Sequence, residues 1–406
     1  MAININAKTS GVGGLETTAD NSGNINIQSG GSTVMSVTSS GVAVTGSFSQ
    51  NGAVYSTQPS FRNLIINGDM RIDQRNAGAS VTPTTDGTYT LDRWTTRISA
   101  ASKFSVQKNA GAVTPPAGFI NYLGVTSLAA TSVGSTDYYA VSQFIEGLNT
   151  ADLGFGTANA QTVTLSFWVR SSLTGTFGGY ISNSSGGRIY PFSYTISSAN
   201  TWEKKSITIA GDTAGTWLTT SGIGIRVQFN LGFGSTYQGA ANAWNSSNIF
   251  QPTGATSVVG TSGATFYLTG VQLEAGSTAT EFEHRPYDME LARCQRYYEK
   301  SYNISQSVGA STSAGQEYFQ VAGARNINYG LYTTHYKVPK RASCTVTLYS
   351  QNGTSGYLSN GDSGANLGTG GVLFISSENM FVSKNTGSTI ADGTVISYQW
   401  TAESEL

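Results

Sequence analysis

The chain has 406 residues, enough for two or three domains that each bury a core. Only 11% of its residues are charged and glycine fills 49 positions, with a formal net charge of −1, whereas an average soluble domain is roughly 25% charged. That balance gives no electrostatic funnel for polyanions, which excludes sequence-independent nucleic-acid binding, and no stretch reaches the ~18 consecutive apolar residues of a spanning helix, which excludes helical membrane insertion.

The opening MAININAKTSG lacks the basic and apolar regions of a signal peptide, so the expectation is a protein made in a cytoplasm without an export signal of its own. Residues 1–60 hold short apolar alternations: Ile25 and Ile27, then Val34, Met35 and Val37, then Val42 and Val44, separated by Ser-Gly-Gly and Ser-Ser-Gly turns. Each is too thin to bury a core alone. Two readings fit these residues, identical copies wrapped about a shared axis or a disordered linker.

From Asn63 the strands lengthen: NLIINGDMRI, TVTLSFWVRSS, KKSITIAG, IGIRVQFNL and TFYLTGVQLEA. Period-two alternation is clearest where Val163, Leu165, Phe167 and Val169 face one way and Thr162, Thr164, Ser166 and Trp168 the other. Many such strands between Gly-rich turns predict an antiparallel sandwich over 61–285, with Trp94, Trp168 and Trp202 in its core.

Residues 286–300, PYDMELARCQRYYEK, predict the one helix. Pro286 suits a first turn, Asp288 and Glu290 lie near the positive end of the dipole, and Arg296 and Lys300 near the negative end. Tyr287, Leu291, Cys294 and Tyr298 are spaced as one heptad seam, which could line a threefold axis or pack on the chain's own sandwich. Beyond it, YFQVAGA, LYTTHYKV, CTVTLYS, GVLFISS, MFVSK and VISYQW predict a second, smaller sandwich over 301–406. A long polar loop with Tyr357 and Leu358 at its centre interrupts that set between Tyr349 and Val372. Cys294 and Cys344 make neither a disulfide framework nor a metal-spaced pair and read as buried small residues.

Catalysis needs convergent acids, bases or nucleophiles. His284 and His335 lie far apart, and no H-x-x-x-H, G-x-S-x-G or C-x-x-C spacing occurs. Glycoside hydrolysis needs two carboxylates roughly 5 to 9.5 Å apart. The candidates Asp69, Asp73, Asp86, Asp92, Asp137, Glu146, Asp152, Asp212, Glu274, Glu281 and Glu283 are sparse and unpaired in spacing, and Glu281 and Glu283 beside Arg285 read as a surface charge network. The tandem repeats of a β-helix depolymerase are absent. The expectation is a protein that is not an enzyme and carries no cofactor or metal.

Three runs carry a family resemblance: FRNLIINGDMRIDQR with YTLDRW, FYLTGVQLEAGSTATEFEHRPYDMELARCQRYYEKSY, and VISYQWTAESEL. They resemble tail-fibre and minor structural proteins of tailed phages over about 61–406, and GLETTADNSGNINIQSGGSTVMSVTSSGVAVTG resembles the N-terminal segments of such proteins loosely. The strand set NLIINGDM, VTLSFWVRSS, TWEKKSITI and YLTGVQLEA is similar to the jelly-roll carbohydrate-binding modules of polysaccharide-degrading enzymes. Those modules often hold a calcium through an acid after the first strand's Asn-Gly turn and an Asp on the last strand. Asp69 matches the first, but Gly270–Glu274 supplies no Asp for the second.

The resemblance implies an all-β homotrimer with four parts: a thin N-terminal attachment and trimerisation segment (1–60), a jelly roll (61–285), a connecting helix (286–300) and a C-terminal β-sandwich tip (301–406). Its place would be the virion, assembled in the host cytoplasm. Its partners would be a tail or baseplate protein at the N-terminus and a host-surface polysaccharide. A glycan-modifying tailspike, depolymerase or deacetylase, and a structural decoration protein are the competing classes.

Sugars present apolar C–H faces and many hydroxyls, so their sites combine aromatic platforms with short amide or hydroxyl side chains. Two regions qualify: Phe233, Tyr237, Trp244 and Asn245 in the sandwich, and Asn352, Tyr357, Asn360 and Asp362 in the C-terminal loop. The alternatives are that Trp244 plugs the end of the jelly roll, and that the C-terminal loop is a connector or packs between subunits. The second region is favoured as the distal surface, because anchoring falls to the N-terminus.

Overall fold

The computed structural model describes residues 61–323, 325–326, 332–384 and 389–406, and in the N-terminal stretch 3–7, 25–29, 31–38, 41–44, 48–50 and 53–55. Residues 14–24, where the loose N-terminal resemblance begins, lie outside the described residues. The chain divides into two compact units, 1–61 and 62–406.

In the first unit, strands Ile3–Ala7, Ile25–Ser29, Ser32–Thr38 and Gly41–Val44 form a four-stranded sheet in that order. The Ser-Gly-Gly turn places Gly31 at φ 80°, the left-handed conformation a tight hairpin requires. Register sets Ile25 opposite Val37 and Ile27 opposite Met35, so the period of two gathers these side chains on one face. Ile25 remains 40% exposed, and Ile27, Val34, Met35 and Val37 are only half-buried.

The second unit is built on a sandwich of two antiparallel sheets. The five-stranded sheet runs in the order Glu203–Ile209, Val163–Ser171, Thr265–Ala275, Leu123–Ser127, Phe104–Lys108. The six-stranded sheet runs Ile189–Ile196, Gly175–Ser182, Ile223–Phe233, Tyr138–Glu146, Trp94–Ile98, Tyr89–Leu91. The expected alternation holds: Val163, Leu165, Phe167 and Val169 are buried and join one core with Trp94, Phe177, Phe192 and Phe229. Phe167 meets Phe229 edge-to-face at 4.9 Å between centroids, and each such fully buried side chain contributes about 1.5–3 kcal/mol. Trp94 lies in this core, whereas Trp168 is half-buried and Trp202 packs against Tyr122 and Tyr267.

The run NLIINGDMRI is not a strand. Its asparagines take over the hydrogen bonding that a ladder would supply. Asn63 donates through Nδ2 to Val271 O (3.1 Å) and accepts at Oδ1 from Ile65 N (3.0 Å) and Leu273 N (3.1 Å). Asn67, at φ 57°, donates to Ile72 O and Asp92 O and accepts from Ile72 N. Gln143 bonds both the N–H and the carbonyl of Ile66. Arg285 and Glu283 do not form a surface network with Glu281. The Arg285 guanidinium is buried, donating to Ile65 O and Asn63 O and pairing with Glu283 and Glu290 at 3.1 Å each, while Glu290 also accepts from Asn67 N.

The α-helix spans Tyr287–Gln295, with Asp288 and Glu290 in its first turn, and is shorter than expected. Tyr298–Lys300 turns into a strand paired with Val395–Glu403, so Tyr298 leaves the helical seam and lies under the Arg75 guanidinium, 3.8 Å from its ring centre. Leu291 and Cys294 pack on Ile66, Ile72 and Tyr297 of the same chain, and Tyr287 is exposed. Arg296 forks onto Glu146 of the sandwich at 2.9 and 2.7 Å instead of capping a longer helix.

Residues beyond the helix form an eight-stranded sheet around the long strand Val395–Glu403, which pairs with Tyr298–Lys300, Glu317–Gln320, Thr345–Tyr349 and Tyr357–Asn360. Its core gathers Leu348, Leu358, Met380, Val382, Ile396, Tyr398 and Trp400. The expected long loop is largely a hairpin, Tyr357–Asn360 against Asn366–Leu373. Lys340 and Glu299 meet at 2.5 Å with both side chains fully buried, and Lys340 also donates to Gln295 O and Val338 O.

Two predictions follow from these buried charges. Glu299→Ala strands the Lys340 ammonium and is expected to cost about 3–5 kcal/mol in denaturant unfolding, whereas Glu299→Leu with Lys340→Met is expected to recover most of that loss. Glu146 is buried, which by itself raises its pKa, but hydrogen bonds from Arg296 and Tyr297 outweigh burial and hold it below its usual 4.5. Its contribution is therefore present above pH 4.5 and lost as pH falls through the lower folded value, so Glu146→Gln is expected to flatten the acid side of the stability curve in pH-dependent unfolding.

Candidate glycan-binding site

The outer face of the six-stranded sheet carries the residue types a sugar site needs. Along Ile223–Phe233, Ile225, Val227, Phe229 and Leu231 point into the core, which sends Arg226, Gln228 and Asn230 outward. Cross-strand register then lines up Tyr180, Gln228 and Ser142 in one row and Ser182, Arg226 and Phe144 in the next.

A β-bulge modifies that alternation. Tyr139 pairs with Gly232 and Ala140 with Asn230, leaving Leu231 as the extra residue. The shift reverses the phase of the strand end, so Phe233 leaves the core side and lies opposite Tyr138 on the outer face, 6.2 Å between ring centroids. A second local feature builds the far wall. A Cβ at Gly178 would stand 2.4 Å from Pro252 Cδ, so only glycine lets the Gln251–Pro252 segment lie on the sheet. That placement holds Phe250 against Tyr180 at 4.9 Å and Tyr237 at 5.6 Å.

The result is a cleft of about 280 Å³ lined by Tyr138, Tyr180, Phe233, Tyr237 and Phe250 with Arg97, Arg226, Gln228, Ser185 and Asn248 at its polar positions. Its floor is fixed by a chain of hydrogen bonds. Gln228 Oε1 accepts from Ser142 Oγ (2.8 Å) and Tyr180 OH (2.9 Å), Gln228 Nε2 donates to Asn230 Oδ1 (3.2 Å), and Asn230 Nδ2 donates to Phe250 O (2.9 Å). Burial raises the Tyr180 pKa despite the nearby Arg226, so the phenol stays neutral and donates. Tyr138, Tyr237 and Phe250 are half-buried and Asn248 is exposed, leaving aromatic faces and an amide open to a ligand above a rigid floor.

Of the residues expected from sequence, Phe233 and Tyr237 line this cleft. Trp244 does not: its Nε1 donates to Ala210 O at 2.7 Å and its ring packs on Tyr190, Trp217 and Phe155, the end-plug arrangement. Asn245 is taken up by Ile189 in a backbone bridge and a side-chain bond of 3.2 Å. The C-terminal set lies on the strand Tyr357–Asn360 and the turns on either side of it. Asn352 accepts from Ser350 Oγ, Thr354 N and Thr354 Oγ1, Asn360 accepts from Asp362 N and Ser363 N, Tyr357 is half-buried in its strand and Asp362 is exposed on the turn. Those amides shape turns. Sequence reasoning missed Tyr138, Tyr180, Arg97, Arg226, Gln228, Asn248 and Phe250. The signal for two of them, Arg226 and Gln228, was the strand IGIRVQFNL, whose outward residues are a guanidinium and amides rather than Ser and Thr.

The residues do not fit a calcium site of the module type. The Asp69 carboxylate is engaged by the Arg71 guanidinium, and among the described residues no three His, Cys, Asp or Glu side chains gather as cation ligands.

No family model matches the chain, and no curated protein matches it. Among solved structures it is similar to the enzymatically active domain of bacteriophage CBA120 tailspike protein 4, at 12% identity and a TM-score of 0.31 over 53% of this chain and 22% of the tailspike. It is similar to a putative sugar-binding protein from Bacteroides thetaiotaomicron, at 13% identity and a TM-score of 0.31 over 53% of this chain and all of that one. It is also similar to the module TmCBM61 in complex with β-1,4-galactotriose, at 10% identity and a TM-score of 0.27 over 53% of this chain and 99% of the module.

Proposed function

We propose that the protein is a non-enzymatic glycan-binding protein of the tail-fibre type that takes a host-surface sugar in the cleft on the six-stranded sheet. The observation that carries this reading is the cleft itself, in which aromatic rings flank an amide floor already held in place by its own hydrogen bonds. Stacking on Tyr138, Tyr237 and Phe250 would supply the contact with pyranose C–H faces, and Asn248 and Ser185 the bonds to hydroxyls. A preordered floor lowers the entropic cost of binding. Binding without hydrolysis is favoured because, among the described residues, no carboxylate lines the cleft, whereas glycoside cleavage uses two. The sequence runs similar to phage fibres support a virion location, with residues 1–60 docking to a tail or baseplate protein.

The same reading includes a homotrimer. Support comes from the N-terminal sheet, where Ile25, Ile27, Val34, Met35 and Val37 are left half-buried or exposed within one chain. Three copies would cover that face and present three weak sugar sites at once, raising avidity without new contacts.

Two measurements test these claims. In a glycan-array screen followed by calorimetry, Tyr138→Ala and Tyr237→Ala are each expected to weaken sugar binding about 5- to 30-fold, the equivalent of about 1–2 kcal/mol, while Tyr357→Ala leaves it unchanged. Loss of binding in Tyr357→Ala alone would move the site to the C-terminal sheet, and release of reducing ends or acetate from host polysaccharide would make the protein an enzyme. Native mass spectrometry at micromolar concentration is expected to give the mass of three chains, and Ile27→Asp with Met35→Asp to reduce it to one; a stable monomer of the unaltered chain would exclude the trimer.

A further inference from the structure

The charge of the cleft is more specific than its shape. Among the described residues its lining contains two arginines and no Asp or Glu, in a chain whose Lys and Arg (22) and Asp and Glu (23) nearly balance. The two arginines differ. Arg97 is already neutralised by Asp86, whose carboxylate it grips through Nε at 3.0 and 3.2 Å and through a terminal nitrogen at 3.0 Å. Arg226 has no carboxylate at ion-pair distance among the described residues. Its guanidinium stands 5.2 Å from the Phe144 ring centre and beside the neutral Tyr180 phenol, and its Nε is buried without a hydrogen-bond acceptor.

A half-buried guanidinium between aromatic groups is partly stripped of water, and the Phe144 ring and the neutral Tyr180 phenol return only part of the lost interaction, with no opposite charge at hand among the described residues. The neighbouring amides cannot turn to serve it, because Gln228 Oε1 already accepts from two hydroxyls and Asn230 Oδ1 accepts from Gln228. The opposite charge that the described residues do not supply to this guanidinium is one that a ligand can bring. A planar carboxylate matches the fork of a guanidinium in two parallel hydrogen bonds, which a single hydroxyl cannot.

We infer that the cleft selects a glycan carrying an acidic sugar, a carboxylate-bearing pyranose, with its ring on the aromatic wall and its carboxylate on Arg226. The inference rests on glycan binding at this cleft. Neutral glycans would make the same ring contacts but leave Arg226 unanswered.

The test uses the full chain and matched ligands: alginate, polygalacturonate and hyaluronan oligosaccharides, each compared by calorimetry with its own carboxyl-reduced, neutral counterpart. The expected result is that at least one acidic oligosaccharide binds about tenfold or more tightly than its reduced form, that the preference shrinks from 50 mM to 500 mM salt, and that Arg226→Gln brings the ratio of the two affinities close to one. Arg226→Lys, which keeps the charge but not the fork, is expected to retain part of the preference, and circular-dichroism melting of both variants separates lost selectivity from lost folding. Equal or tighter binding of the reduced forms, a preference untouched in Arg226→Gln, or binding only to neutral glycans of a wider array would overturn the inference and leave glycan binding standing. No binding to these pairs or to any glycan of the array would overturn both.

Discussion

The burial of the Arg285 guanidinium is the interaction on which the second unit depends. It reaches the carbonyls of Asn63 and Ile65 and the carboxylates of Glu283 and Glu290, and through Glu290 it reaches the backbone N–H of Asn67. A segment with no ladder of its own is thereby fixed between two sheets, because Asn63 bonds the strand Thr265–Ala275 while Gln143, on the strand Tyr138–Glu146, bonds Ile66. The same Glu290 belongs to the first turn of the helix. One buried cation thus ties the irregular segment, both sheets and the helix into one body, and the cost of desolvating it is offset only while all its partners are present.

That tie extends to the eight-stranded sheet through further buried or half-buried charges. Arg296 forks onto Glu146, Arg93 and Arg75 both reach Glu405, and Lys340 closes on Glu299. In a chain with so few charges, many are spent inside rather than on the surface. The polar cover left for solvent is Ser, Thr, Asn and Gly, so a half-buried arginine with no carboxylate partner among the described residues stands out chemically, and the candidate cleft holds one in Arg226.

Much of the architecture could be read from the sequence. Alternation at Val163, Leu165, Phe167 and Val169 is a direct consequence of one strand face meeting a core, and the closing VISYQW became the central strand of its sheet for the same reason. NLIINGDMRI misled because its apolar residues alternate like a strand while Asn67 and Met70 sit at positive φ, with Asn67 tied by side-chain bonds to Ile72 and Asp92 that no periodicity reports. The helix stopped at Gln295 because pairing with Val395–Glu403 captured Tyr298–Lys300, a contact from a hundred residues away. The cleft was half legible. Outward Arg226, Gln228 and Asn230 follow from alternation, but Phe233 faces outward only because of a bulge, and Phe250 reaches the sheet only because Gly178 leaves room for Pro252. Trp244 was the more conspicuous residue in sequence, yet its indole is satisfied within the sandwich.

The most direct test of the account is a crystal structure of the protein soaked with a glycan that it binds on an array. The expected result is a pyranose ring against Tyr138, Tyr237 or Phe250 with Gln228 and Asn230 unmoved beneath it. A sugar ordered at the turn around Tyr357 and Asp362, with the six-stranded sheet bare, would contradict it.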